Sequence, residues 1–152
     1  TRFRNVTGVQ TCALPISRIG YGIGPEAVVR AERKVQRGYD VSTVGQAGAL
    51  ASLDDDDEVA RRRQANAGAV AALRELLLAH GLRPLEGTRT NFLLVEVGVD
   101  ADEATRTLYR LGVSVQSGGP FGAPTSLRVG AGSAADLERL DAALVQAGLS
   151  LR

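Results

Sequence analysis

The sequence carries a single cysteine, a single lysine and a single histidine, and no apolar run approaches the length of a membrane span. A bilayer crossing needs about 20 apolar residues, so an integral membrane helix is excluded at this level. Cys12 has no second cysteine to pair with, which excludes an internal disulfide and fits a reducing, cytoplasmic setting. Charge of one sign is also scarce in excess: the net formal charge is +1. Binding to nucleic acid or to a membrane surface through bulk electrostatics is therefore not expected. Arg2 and Arg4 precede a mildly apolar stretch, but Thr7, Gln10 and Thr11 interrupt it, unlike a secretory signal. There is no internal repeat and no low-complexity tract. What remains is a chain of 152 residues, 44% hydrophobic and 23% charged. That describes a globular chain about one domain long.

Regular patterning begins at Pro25. Proline followed by Glu26 suits the first turn of a helix, and Ala27, Val28, Ala31 and Val35 recur at helical spacing. A helix is expected to about Arg37, before Gly38. Ser42 or Thr43 can cap a second, alanine-rich helix through Leu53. Four aspartates, Asp54 to Asp57, precede a long helix with Leu73, Leu76, Leu77 and His80 in phase and Gly81 at its end. Such a run invites a metal-binding reading, but a cap and dipole complement account for it more simply. The pattern then changes to "TNFLLVEV" (90–97), a buried-looking strand. A short helix over 101–111 points Ala104, Leu108 and Leu111 inward. "VSVQ" (113–116) alternates as a strand, 117–125 reads as a loop, and "SLRVGAG" (126–132) reads as another strand. Ser133 caps a closing helix carrying Leu137, Leu140, Leu144 and Val145. This order predicts a small α/β sandwich, one sheet with helices against it.

Among residues with chemistry to offer, Arg128 stands out. It lies mid-strand between Leu127 and Val129, where an arginine calls for a buried anionic partner. His80 sits at a helix end, where it meets free carbonyls. "GYGIG" (20–24) lacks the rest of a dinucleotide fingerprint and its acidic partner. "SGGPFGAP" (117–124) could cradle a phosphate, though a flexible loop bordering a substrate entrance is the plainer reading. Strand packing accounts for Asn91 and Phe92 as well as a site role does.

From Ser17 onward the chain resembles the C-terminal part of a fold type I pyridoxal-phosphate aminotransferase, nearest to the histidinol-phosphate aminotransferase group. The stretches that carry the likeness are "RIGYGIGPEAVVRAERKVQRGYDVSTVGQAGALASL" (18–53), "TNFLLVEV" and "LGVSVQSGGPFGAPTSLRVGAGSAADLERLDAAL". The resemblance implies an α/β fold: the small C-terminal domain of such an enzyme, a sheet covered by helices, preceded by helices from the end of the large domain. It places 18–53 in the large-domain remnant and 54–152, with its long linking helix, in the small domain. It implies pyridoxal 5'-phosphate as cofactor, with Arg18 gripping its phosphate. A guanidinium offers the permanently charged fork that a phosphate needs. It assigns Arg128 to the substrate's acid group, with Gln116 and Asn91 as further substrate contacts. The implied partners are a small amino donor and a keto acceptor, and the whole protein is implied to be a homodimer.

Two departures shape the expectation. Many members of that group carry a second arginine at the place of Gln116. A phosphate monoester is better served by two such forks than by one, so an aromatic or other amino acid with an ordinary α-carboxylate stands as the alternative substrate. The same stretches also suit a related phosphate-ester decarboxylase. From another class, a non-catalytic α/β binding module stays open, for which 82–152 would suffice. The second departure is at the front. In the family the Schiff-base lysine lies eight residues before the phosphate-gripping arginine, and eight before Arg18 is Gln10. Lys34 lies sixteen residues beyond Arg18 and cannot substitute. Residues 6–16, Val-Thr-Gly-Val-Gln-Thr-Cys-Ala-Leu-Pro-Ile, resemble the translation of a widely used short-read sequencing adapter. Residues 1–17 are therefore expected to be adapter-derived, and the chain, without its lysine, to be inactive by itself.

Overall fold

The computed structural model describes residues 24–38 and 41–150. The described residues fall into two compact units, divided between Arg63 and Gln64.

In the first unit, α1 spans Glu26–Val35, with Glu26 in its first turn and Arg33 and Lys34 in its last. Those charges complement the helix dipole at both ends. It stops two residues short of the expected Arg37, because Gln36 turns to extended backbone while its N–H still donates to the Glu32 carbonyl at 3.1 Å. Helix α2, Thr43–Leu53, is capped by Ser42, whose Oγ accepts from the Gly45 N–H at 3.1 Å. Helix α3 runs over Asp56–Ala79. Asp55 Oδ1 accepts from the Glu58 N–H at 3.1 Å, so this aspartate serves as the cap that its position implied. Gly81, at φ 72°, ends the helix. Its left-handed backbone lets the Leu82 N–H reach back to the Leu77 carbonyl at 3.0 Å, a common way to satisfy final carbonyls.

The second unit is built on a four-stranded antiparallel sheet in the order β1-β2-β4-β3. Strand β1 is Arg83–Pro84, β2 Phe92–Glu96, β3 Gln116–Ser117 and β4 Ser126–Gly130. Helix α4, Ala101–Arg110, precedes β3, and α5, Ala134–Ala147, follows β4. Leu93 pairs with Val129 and Val95 with Leu127, and these four side chains share one face of the pleat. That face is buried under Leu73 and Leu77 of α3, Ala104 and Leu108 of α4, and Leu140 and Leu144 of α5. The expected α/β arrangement, a sheet with helices against it, is what forms.

Details differ from expectation for local reasons. Leu111 and Val145 are exposed rather than inward. Leu111 is the residue at which α4 has already ended, and Val145 lies about 100° around the helix from buried Leu144. Strand β3 starts at Gln116 instead of Val113, because the Val113 N–H is taken by the Leu108 carbonyl at 2.9 Å. Strand β1 went unforeseen, since two residues carry no period to read. The 117–125 segment, expected to be flexible, is internally hydrogen-bonded and holds a single 3-10 turn, Gly119–Phe121. The Gly118 N–H donates to the Ser126 carbonyl at 2.8 Å, and the Ala123 N–H donates back to the Gly118 carbonyl at 3.0 Å.

Candidate functional site

Because strands alternate, the residues between the core positions form the opposite face of the sheet. That face carries Phe92, Leu94 and Glu96 on β2, Arg128 on β4 and Gln116 on β3. Arg128 sits directly opposite Gln116 on one side and Leu94 on the other. It is exposed between buried Leu127 and Val129. The buried anionic partner that its mid-strand position called for is therefore absent among the described residues. The same parity that buries its neighbours turns Arg128 to the open face. Its partners are neutral: Nη1 donates to Gln116 Oε1 at 2.6 Å, and Cζ lies 3.9 Å from the centroid of the Phe92 ring. Phe92 thus holds a cation–π contact, where its place in the sequence is explained equally well by strand packing. The signal was its parity, opposite to Leu93 and Val95.

Asn91 stands at the entry to β2, exposed, and its carbonyl accepts from the Ala131 N–H at 2.8 Å. Its side chain has no hydrogen bond to a described residue. Arg18 and Gln10 lie outside the described residues, as does the whole 1–17 segment, so the expected phosphate grip is not part of this geometry. His80, expected to meet free carbonyls, instead places Nε2 2.6 Å from Asp141 Oδ1, tying the end of α3 to α5.

Glu96 is the group that the residue order does not announce. Burial pushes its carboxyl up, but donors from the Thr125 hydroxyl, the Gly98 N–H and the Ser126 hydroxyl outweigh this and hold it below the usual range. Each of those contacts is 3.1 Å. The carboxylate fastens the 117–125 loop to β2 where that loop leads into β4, the strand bearing Arg128. No spacing foretells this, since Glu96 and Ser126 meet only through strand register. A groove of about 270 Å³ runs between 112–115, the end of β4 and the start of α5. Its carboxylate, Asp136, is already engaged by the Ser133 N–H at 2.9 Å and hydroxyl at 2.7 Å. The exposed-face cluster around Arg128 is therefore the better candidate: a fixed guanidinium able to bind and orient an acid group.

Comparison with known proteins gives the same direction. Residues 11–144 match the model of the family described as aminotransferase class I and II. Histidinol-phosphate aminotransferase from Geobacillus sp. (strain WCH70) is 33% identical over 129 residues, covering 85% of this chain and 35% of that protein. The crystal structure of histidinol-phosphate aminotransferase from Sinorhizobium meliloti in complex with pyridoxal-5'-phosphate matches with a TM-score of 0.76 at 28% identity, covering 88% of this chain and 37% of that one. A double mutant of Thermus thermophilus aspartate aminotransferase matches with a TM-score of 0.75 at 27% identity, covering 89% and 38% respectively. The chain thus spans little more than a third of the length of the curated relatives it matches.

Proposed function

On the premise that the chain belongs to the aminotransferase class I and II family, we propose that it is the C-terminal part of an enzyme that moves an amino group between a donor such as glutamate and a keto acceptor. The reaction is proposed to be of the histidinol-phosphate aminotransferase kind. The observation that carries this is Arg128, held by Gln116 and Phe92 on the open face of the sheet. A bidentate arginine fixes the substrate's acid group and so orients the reacting carbon, turning a collision into an aligned step. Gln116 borders the same place, and Asn91, at the entry to β2, is proposed as a further substrate contact. The whole protein is proposed to be a cytoplasmic homodimer, with 18–53 from its large domain and 54–152 forming its small one. Among the described residues no helix is long and apolar enough to cross a membrane.

Pyridoxal phosphate, when bound to the whole protein, supplies the electron sink for amino transfer. The described residues do not fit that group. Their one lysine, Lys34, is exposed on α1, and Glu26 and Arg30 on the same helix already pair with each other. No step through the cofactor is therefore assigned to this chain, which is proposed to be inactive as it stands. Gln116 in place of a second arginine favours a further reading, an amino acid bound through its α-carboxylate.

The test has two arms. The 152-residue chain, supplied with pyridoxal phosphate, glutamate and a keto acid, is expected to give no turnover; measurable turnover would overturn the proposal. Source DNA read across the Ser17 junction is expected to show a long upstream frame encoding a lysine, with 1–17 replaced. The full-length product is then assayed on histidinol phosphate and on a panel of amino acids.

A further inference from the structure

We propose that Phe92 and Gln116 are positioning residues for Arg128, and that the edge they leave open selects one planar carboxylate over a phosphate monoester. This rests on Arg128 being the anion grip proposed above, and of the two substrate readings given there it favours the amino acid over histidinol phosphate. A guanidinium has five N–H donors in a rigid plane, and the two contacts restrain different motions of that plane. Phe92 lies against its face, with the ring centroid 3.9 Å from Cζ, which limits tilting. Gln116 takes one Nη1 hydrogen at 2.6 Å, which limits rotation within the plane. The contacts come from different strands, β2 and β3, flanking β4 on either side. Gln116 is the direct cross-strand neighbour of Arg128, and Phe92 is a diagonal one, within reach for an aromatic side chain. A free arginine side chain has much rotamer freedom to lose when it grips a ligand. Here much of that ordering precedes any ligand.

What is left over has a definite shape. Nε–H and the Nη2 hydrogens of Arg128 bond to no described residue. Together they form the side edge of the guanidinium, two parallel donors that match the two oxygens of a carboxylate. A phosphate monoester near neutral pH carries close to two charges and is better met by two cations. The residue directly across from Arg128 is the neutral Gln116, and the nearest ionisable group on that face of β2 is the anionic Glu96. Both features disfavour the dianion relative to the carboxylate.

The experiment uses the whole 152-residue chain labelled uniformly with 15N; it follows the Arg128 Nε–H signal, assigned by its loss in Arg128→Lys, and reads binding to that variant from the backbone amides of β3 and β4. Acetate and methyl phosphate are the probes, titrated at fixed ionic strength and pH 7.5. Acetate is expected to shift the signal saturably and to bind more tightly than methyl phosphate. Gln116→Leu and Phe92→Leu are each expected to weaken acetate roughly fivefold and to speed guanidinium rotation, while backbone amide spectra stay in place. Phe92→Tyr keeps the ring and is expected to restore slow rotation. Gln116→Arg is expected to reverse the preference towards methyl phosphate. If Arg128→Lys abolishes binding but Phe92→Leu and Gln116→Leu leave affinity and rotation unchanged, the positioning proposal falls and the anion grip stands. Methyl phosphate binding as tightly as acetate to the unaltered chain overturns the selectivity. If acetate does not bind, or binds equally to Arg128→Lys, the anion grip itself falls.

Discussion

The two units of this chain obey the same local rules and reach opposite outcomes. In the first, α1 and α2 have a helix-start proline and a serine cap, yet Val35 and Val44 are 79% and 84% exposed and the only buried residue described is Gly45. In the second, comparable caps at Asp100 and Ser133 start helices whose Leu108, Leu140 and Leu144 are zero to a few per cent exposed. Capping decides where a helix begins, but it does not supply the apolar surface that a helix buries. That surface comes from β2 and β4, far apart in the chain and joined by register. The second unit therefore closes its own core within the chain, whereas α1 and α2 present apolar side chains without one among the described residues.

The sharpest test of that contrast is a pair of truncations. Leu93 is fully buried in the sheet core, and Leu93→Ala is expected to cost about 2–5 kcal/mol of unfolding free energy. Val44 projects from α2 into solvent, and Val44→Ala is expected to change stability by no more than about 0.5 kcal/mol. Urea unfolding followed by circular dichroism reads both. Comparable losses would mean that α2 is packed as well as the sheet is, and the contrast would fail.

Much of this was legible in the residue order, and the pattern of what was not is instructive. Ser42, Asp55, Gly81 and Ser133 mark helix boundaries because the signal is the residue itself. Leu93, Val95, Leu127 and Val129 mark a core face because alternation is local. The site is harder to see. Arg128 stands out in the sequence, but its mid-strand place suggests buried surroundings, although the apolar residues on either side already imply the opposite face. Phe92 and Gln116 come to it only through the pairing of β2 and β3 with β4. Glu96 and its hydroxyl partners are separated by 29 and 30 residues, and no spacing rule connects them. Local geometry is written in neighbours, and the site is written in register.

Glycines extend the comparison to smaller effects, and with opposite signs. A Cβ built on Gly118 would lie 2.5 Å from the Ala123 carbonyl oxygen and 2.7 Å from that of Ser126. Both are backbone atoms, one in the loop that leads into β4 and one in the first residue of β4, so they cannot swing aside. Gly118→Ala is expected to cost about 1–3 kcal/mol and to loosen the segment before Arg128. Gly48, within α2, has nothing within 4 Å of its Cβ position. Gly48→Ala is expected to stabilise by about 0.5–1 kcal/mol, since alanine loses less backbone freedom in a helix. The same chemical change is thus destabilising where the chain is crowded and favourable where it is open. A loss of stability in Gly48→Ala would show that α2 packs more closely than its exposure implies.

The smallest effect separates two carboxylates by salt. Glu58, at the start of α3, is brought from 4.5 to about 2, chiefly by a hydrogen bond from Arg61, with burial opposing and Arg62 adding to it. Glu96 is also lowered, although there burial acts first and is outweighed by the Thr125, Gly98 and Ser126 donors. In both, the folded pKa lies below the unfolded one, so each contribution is complete above about pH 4.5 and is lost as pH falls through the folded value. For Glu58 that window runs from about 4.5 down to about 2. The charges beside Glu58 are solvent-accessible guanidinium groups in the first turns of α3, which salt screens, whereas the donors around Glu96 are a backbone N–H and two hydroxyls, with no net charge to screen. Acid titration of Glu58→Gln and Glu96→Gln at low salt and at about 1 M salt tests this. Salt is expected to shrink the difference between the parent and Glu58→Gln, and to leave that between the parent and Glu96→Gln in place. Equal screening of both would mean that Glu96 owes its acidity to a distant cation rather than to the loop it fastens, and the route from that loop to Arg128 would have to be redrawn.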